Sequence, residues 1–419
     1  MFGTKRKNKR VNLDMAAGVS GNPSSPHAEG RAARERLEAA RRSIARLVEV
    51  KSDDVIFTSG ATEANALAIL GSCRAASAFA KATADKRALT LKPHLLYLSS
   101  SHASIVENMK LAENEGADIE ALPVKNCRVD CDALAKLLRS ETVLVSMDAV
   151  CGETGVIWNT REIRQTLDHG QTRSGQQLSR PGLSNMRAVL HVDASQAVWT
   201  EKLSRAHFGA DLMTLDASKV CETRGIGCLI APRSIRLAPL YGGGPQERVL
   251  RPGSEAPELA DAFAEGLSRA VEGRARFRAE ATVARAELIE AIRAGIPDVL
   301  INEACNPSFA PAVAEAMAGK KATQGKQAPH ILNLSLQSCD TDYLVALLDE
   351  AGFAVSTRSA CETDSQTGSR SVFVLWGDAP RAASTLRISW GPAVGARALA
   401  QFSRALIQAV RFIDSADVT

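Results

Sequence analysis

The sequence predicts an α/β protein, a mainly parallel sheet flanked by helices with a smaller α+β unit towards the C-terminus. Short apolar runs alternate with helical stretches through the N-terminal half of the chain. Most of those runs are continuously apolar, as strands covered on both faces must be. A long helical stretch rich in Ala, Arg and Glu then separates this region from a last set of strands.

Taken in order, a basic arm (Lys5, Arg6, Lys7, Lys9, Arg10) precedes a helix predicted over 28–48. Strands follow at 55–58, 94–98, 119–122, 143–149, 189–193, 212–215 and 227–231, with helices at 64–70 and 105–115 between them. Two polar segments of weak periodicity, 72–93 and 168–187, read as surface insertions that leave the core alone. The long helix spans 258–294 and bridges to an α+β unit with strands at 331–336, 352–356 and 385–389. With 419 residues, two domains are the natural expectation: 14–257 as the larger, 258–419 together with 1–13 as the smaller.

Composition narrows the function classes. A chain with 45% hydrophobic and 23% charged residues is an ordinary soluble globular protein. The net charge of +4 is mild and sits partly in the basic arm, so no basic stripe marks a direct nucleic-acid partner. No run approaches the ~18 apolar residues of a membrane span, and Asn12 and Asp14 interrupt any signal-like segment. Nine cysteines without a Cys-x-x-Cys pair suit reduced thiols in the cytoplasm. Cys127 and Cys131 lack a matching Cys or His pair, so no metal site is expected.

Chemistry concentrates at strand ends. The run 189–192 leads into Asp193, and 212–215 leads into Asp216 and then Lys219. An Asp at such a position often only caps a helix. Paired with a nearby lysine, it is also what a pyridoxal phosphate enzyme needs: an acid for the pyridine nitrogen and an amine for the cofactor aldehyde. Gln196 lies one turn past Asp193, within reach of the ring oxygen. The stretch Ser59-Gly60-Ala61-Thr62-Glu63-Ala64-Asn65 follows a strand and opens a helix, where free N–H groups suit a phosphate.

Collinear motifs then carry a resemblance. Gly21-Asn22-Pro23-Ser24-Ser25-Pro26-His27 with Gly30, Phe57 to Asn65, Glu153-Thr154-Gly155, His191-Val192-Asp193 with Gln196, and Gly225-Ile226-Gly227 occur in order. Gln246-Glu247-Arg248 with Arg251 and Gly253, Ser359-Ala360-Cys361, and Leu386-Arg387-Ile388-Ser389 follow. The chain resembles the NifS/IscS-type cysteine desulfurases of the class V aminotransferase group, fold-type I pyridoxal phosphate enzymes. The resemblance implies Lys219 as the Schiff-base lysine and proton shuttle, Asp193 on the pyridinium nitrogen and Gln196 on the ring oxygen. His102 is similar to the histidine that stacks on the ring; read from its neighbours alone, it starts a helix. Ala61, Thr62 and Ser218 would hold the phosphate, with Ser254 reaching it from the partner of a homodimer, and Arg387 would clamp the substrate carboxylate. Cys361 would take sulfur from L-cysteine as a persulfide, leaving alanine, and pass it to an acceptor protein. The polar run 362–370 after it suits a mobile loop. The acceptor, and whether it serves iron–sulfur assembly or tRNA thiolation, is not specified by these residues.

The sequence also departs from that pattern. Asp216-Ala217-Ser218-Lys219 stands where the family has Ser-x-His-Lys, which places a carboxylate near the cofactor phosphate and removes a donor. Glu222-Thr223 replaces a Gly-Pro turn, Gly152 replaces an asparagine, and Met15-Ala16-Ala17 stands where an Asn-rich turn is common. These changes imply a weaker hold on the cofactor rather than a different fold. Two other readings fit the same residues: a selenocysteine lyase or cysteine sulfinate desulfinase of the same fold, and a non-catalytic scaffold.

Overall fold

The computed structural model describes residues 11–18, 21–82, 92–173, 187–304, 326–337, 339–357 and 368–416. Its centre is a seven-stranded sheet whose strands lie in the order Val55–Thr58, Gly227–Ile230, Leu212–Asp216, Val189–Asp193, Thr142–Asp148, His94–Tyr97 and Asp118–Ala121. The last five are mutually parallel, and Gly227–Ile230 runs antiparallel to both of its neighbours. The reversal follows from chain length: the ten residues between Leu212–Asp216 and Gly227–Ile230 are too few for a crossover that would return the chain in parallel. Helices cover the sheet, so its inner strands are largely apolar, and Leu95, Leu144, Leu190, Met213 and Leu229 are fully buried. His191 is a fully buried polar residue on the central strand. Burial pushes its pKa down to about 4, and its ring is hydrogen-bonded to Ser146 Oγ at 2.8 Å and Thr214 Oγ1 at 3.0 Å on the flanking strands.

A second sheet pairs Leu300–Ile301, Ile331–Ser335 and Thr385–Ser389 antiparallel. It builds its own core with Leu344, Leu348, Phe402 and Leu406. The helix Pro257–Gly295 serves both cores, giving Phe263 and Leu267 to the first and Leu288, Ile289 and Ile292 to the second.

Most sequence-predicted elements fall within a residue or two of the observed ones, and three differ. The helix predicted at 64–70 runs from Ala61 to Ala82. The supposed insertion at 72–93 therefore begins as helix, with Ser72 and Cys73 buried. Its Ala-rich composition is good helix-forming material, which weak amphipathic periodicity concealed. The helix Thr160–Arg173 likewise extends into the other supposed insertion, and 174–186 lie outside the described residues. The stretch 352–356 is not a strand: it turns at Gly352, with φ +86°, and makes a single bridge from Ser356 to Arg387. A short apolar run did not distinguish a bridge from a strand.

Candidate active site

Parallel strands point their carbonyl ends the same way, so the residues just past them gather at one edge of the sheet. Asp148 and Asp193 are opposite each other in register on neighbouring strands, and Asp193 is opposite Thr214, two residues before Asp216. The first turn of the Ala61–Ala82 helix joins them, because Thr58 pairs with Gly227, which pairs in turn with Asp216.

Asp193 is buried. Its Oδ1 accepts the Ser195 amide at 2.9 Å, and its Oδ2 accepts Nδ2 of Asn65 at 2.8 Å. The same Asn65 nitrogen donates to Ser104 Oγ at 2.9 Å, and that hydroxyl lies 2.8 Å from Nδ1 of His102. A hydrogen-bonded chain thus links the acid to the histidine through two polar side chains. His102 is also the cap of the Ala103–Asn114 helix, its Nδ1 accepting the Ser104 amide at 3.2 Å. The helix-start reading and the functional one therefore describe the same ring, which is exposed. Asn65 has no role in the sequence reading beyond its place in the phosphate-loop motif. A polar amide one turn into an otherwise apolar helix is the signal that marks it.

Lys219 ends the short turn Ala217–Lys219 and its side chain is exposed. Its carbonyl accepts the Trp199 indole N–H at 2.8 Å, which fixes the turn from behind. Gln196 sits in the turn Ser195–Ala197 directly after Asp193. The departure at Gly152 has a steric correlate. A Cβ there would stand 3.0 Å from Nε2 of Gln196, so the missing side chain leaves the room that the glutamine occupies. Arg387, on the second sheet, donates from Nη1 to the Gly152 carbonyl at 3.4 Å and so faces the same edge.

At the helix start, Thr62 is exposed and the amides of Ala61 and Ser59 point to side chains of this chain. Ala61 N–H donates to Asp216 Oδ2 at 2.7 Å, and Ser218 N–H to Asp216 Oδ1 at 2.8 Å. Ser59 N–H donates to Glu63 Oε2 at 2.5 Å. Ser254 is exposed on the segment leading into the Pro257–Gly295 helix. Cys361, with Ser359 and Ala360, lies outside the described residues. The chain from Arg370 onward is anchored here: Arg370 Nη2 donates to the Ser101 carbonyl at 2.9 Å, and Ser371 Oγ to the Ser100 carbonyl at 3.1 Å.

Asp148 is a site residue that the sequence reading missed. It is buried, accepts Ser101 Oγ at 2.7 Å, and burial together with the Asp193 carboxylate pushes its pKa up to about 7. Nothing in the sequence of a strand ending in Asp shows that a second acid will lie beside it.

Against the pyridoxal phosphate implied by the sequence, the two ends of this arrangement differ. A buried, doubly hydrogen-bonded carboxylate, an amide, an exposed lysine and an exposed histidine suit a pyridinium ring and its aldehyde. The helix start does not suit a phosphate as it stands, because a carboxylate already holds its first amide.

The comparisons with known proteins identify the family. Residues 9–266 match the family model described as aminotransferase class-V. Cysteine desulfurase IscS 1 of Archaeoglobus fulgidus is 30% identical over 345 residues, covering 82% of this chain and 77% of the relative. Putative cysteine desulfurase IscS 1 of Bacillus subtilis is 30% identical over 378 residues, covering 90% of this chain and 87% of the relative. A solved NifS-like protein shares the fold, with a TM-score of 0.75 at 23% identity over 94% of this chain and 92% of that one. The chain belongs to the class V aminotransferase family, among its IscS/NifS-type cysteine desulfurases.

Proposed function

We propose that this chain is a pyridoxal phosphate-dependent cysteine desulfurase that converts L-cysteine to L-alanine and holds the sulfur as a persulfide on Cys361. The observation that carries the reading is the linked set Asp193–Asn65–Ser104–His102, beside the strand whose end leads to Lys219. When bound, the cofactor supplies an electron sink for the substrate carbons.

The chain's own groups divide the remaining work. The Asp193 carboxylate would keep the ring nitrogen protonated, with Asn65 and the Ser195 amide holding it in orientation. Gln196 would hold the ring oxygen. The Lys219 amine would hold the cofactor at its aldehyde, and would take the substrate α-proton and give one back. Arg387 would orient the substrate α-carboxylate with its planar fork. The Cys361 thiolate would form an S–S bond to the substrate sulfur as the carbon–sulfur bond breaks, and the carbon would keep the electron pair and be protonated to the methyl of alanine. Arg370 and Ser371, nine and ten residues after Cys361 in the sequence, are tied to Ser101 and Ser100.

The same reading divides the chain into a cofactor domain over 14–257 and a smaller one over 258–419 with 1–13. It also makes the protein a homodimer in which Ser254 serves the neighbouring site, and the persulfide passes to a protein acceptor. No helix among the described residues is long and apolar enough to cross a membrane.

The test is direct. Protein incubated with cofactor and L-cysteine should yield alanine and sulfide, and Cys361→Ser should cut sulfur release by at least about 100-fold. Lys219→Ala should abolish the visible absorption of lysine-bound cofactor. Undiminished desulfuration in Cys361→Ser would remove that thiol from the mechanism, and an unchanged band in Lys219→Ala would remove the lysine.

A further inference from the structure

We propose that Asp216 is an internal anion occupying the phosphate cup, so that the chain has lost most of its preference for phosphorylated over unphosphorylated pyridoxal. The proposal rests on the cofactor reading above and concerns only one end of that site.

The helix Ala61–Ala82 offers its positive end at Gly60 and Ala61, where an anion is favoured by both the free amides and the helix dipole. One anion is already there. The Asp216 carboxylate spans two loops, taking the Ala61 amide on one oxygen and the Ser218 amide on the other. A second amide of the same loop, that of Ser59, is taken by Glu63, whose other oxygen is held by Tyr241 Oη at 2.7 Å and Arg251 Nε at 3.3 Å. The nearby cation, Arg251, is therefore already paired with a carboxylate.

The loop has no room to retreat. Gly60 has φ +154° and lies against Gly227, where a Cβ would come within 2.8 Å of the Gly60 Cα and carbonyl carbon. A Cβ on Gly60 would in turn stand 3.3 Å from Asp216 Oδ2. A phosphate ester can reach the Ala61 amide only if Asp216 rotates away, and it then shares the cup with a like charge. Unphosphorylated pyridoxal meets neither obstacle, because its hydroxymethyl group can donate to the carboxylate where a phosphate would be repelled. The ring end, with Asp193, Gln196 and Lys219, serves both forms equally.

The experiment measures binding, not turnover. Dissociation constants for pyridoxal phosphate and for pyridoxal are obtained by titrating the visible band of lysine-bound cofactor in the wild-type chain, Asp216→Asn and Asp216→Ser. Asp216→Asn keeps the shape and an acceptor for Ala61 while removing the charge, and it covers the case in which Asp216→Ser fails to fold. Both variants should bind pyridoxal phosphate at least about 10-fold more tightly than wild type, with pyridoxal affinity changed by less than about 3-fold. In wild type the two affinities should lie within about 10-fold of each other. Unchanged or weaker phosphate-ester binding in both variants, or a wild type that already prefers the phosphate ester as strongly as the variants, overturns the proposal. A band that fails to form with either compound in all three chains overturns the cofactor reading, and this inference with it.

Discussion

Asp148 faces Asp193 across neighbouring parallel strands, and burial is the larger of the two causes that raise its pKa to about 7. The folded state therefore binds this proton more tightly than the unfolded chain does. Stability from this residue falls as pH rises from the ordinary carboxylate range to about 7, and the full penalty applies above that. Asp148→Asn removes the charge and still offers Ser101 an acceptor. The variant should be more stable than wild type at pH 8, by on the order of 4 kcal/mol at most, and the gap should close as pH falls towards 4. Denaturant titrations at several pH values test this, and a gap that does not vary with pH would mean that Asp148 is not the titrating group. The residue also shows where sequence reading stops. Lys219, Asp193 and Arg387 could be nominated from sequence because each sits in a local motif. The partners of Asp148 and of Asn65 come from strand register and helix packing, which no local pattern spells out.

The elements around the site are held by close backbone approach. Gly227 opens its strand directly beneath the turn at Gly60, and a Cβ there would lie 2.8 Å from the Leu215 carbonyl oxygen as well as from the Gly60 backbone. All of these are backbone atoms, so no side chain can swing aside to admit the methyl. Gly227→Ala should therefore cost about 1–3 kcal/mol and shift the Ala61 helix start, weakening cofactor binding alongside stability. Thermal unfolding with a parallel cofactor titration checks both, and full stability in the variant would mean that the contact relaxes freely. This glycine stood in the sequence only as part of Gly225-Ile226-Gly227, and its packing reason became visible once the antiparallel pairing with Leu212–Asp216 was in place. The Ala61–Ala82 helix was read too short for a related reason. Its apolar residues face the sheet on one side and other helices on the next, so no clean stripe marks its end.

Across the whole molecule, the two cores meet at the turn that carries Lys219. Trp199 packs against both hydrophobic clusters, its ring lies edge-on to Phe277 of the long helix at 5.8 Å, and its indole N–H holds the Lys219 carbonyl. Phe277 also meets the His330 ring at 5.6 Å, just before the Ile331–Ser335 strand of the second sheet. The lysine turn is thus coupled to the second core through two aromatic contacts and one hydrogen bond. These ties differ in kind, and two substitutions separate them. Phe277→Ala opens a cavity between the cores and should cost about 3–5 kcal/mol. Trp199→Phe keeps an aromatic ring against Phe277 but drops the donor to Lys219, so its stability cost should stay near 0.5–1.5 kcal/mol. Its larger effect belongs at the site, where a loosened turn should slow formation of the lysine–cofactor band. Equilibrium unfolding together with stopped-flow absorption measures both quantities. If Trp199→Phe proved as destabilising as Phe277→Ala while leaving the band's formation unchanged, Trp199 would be a packing residue alone and the turn would be held from elsewhere.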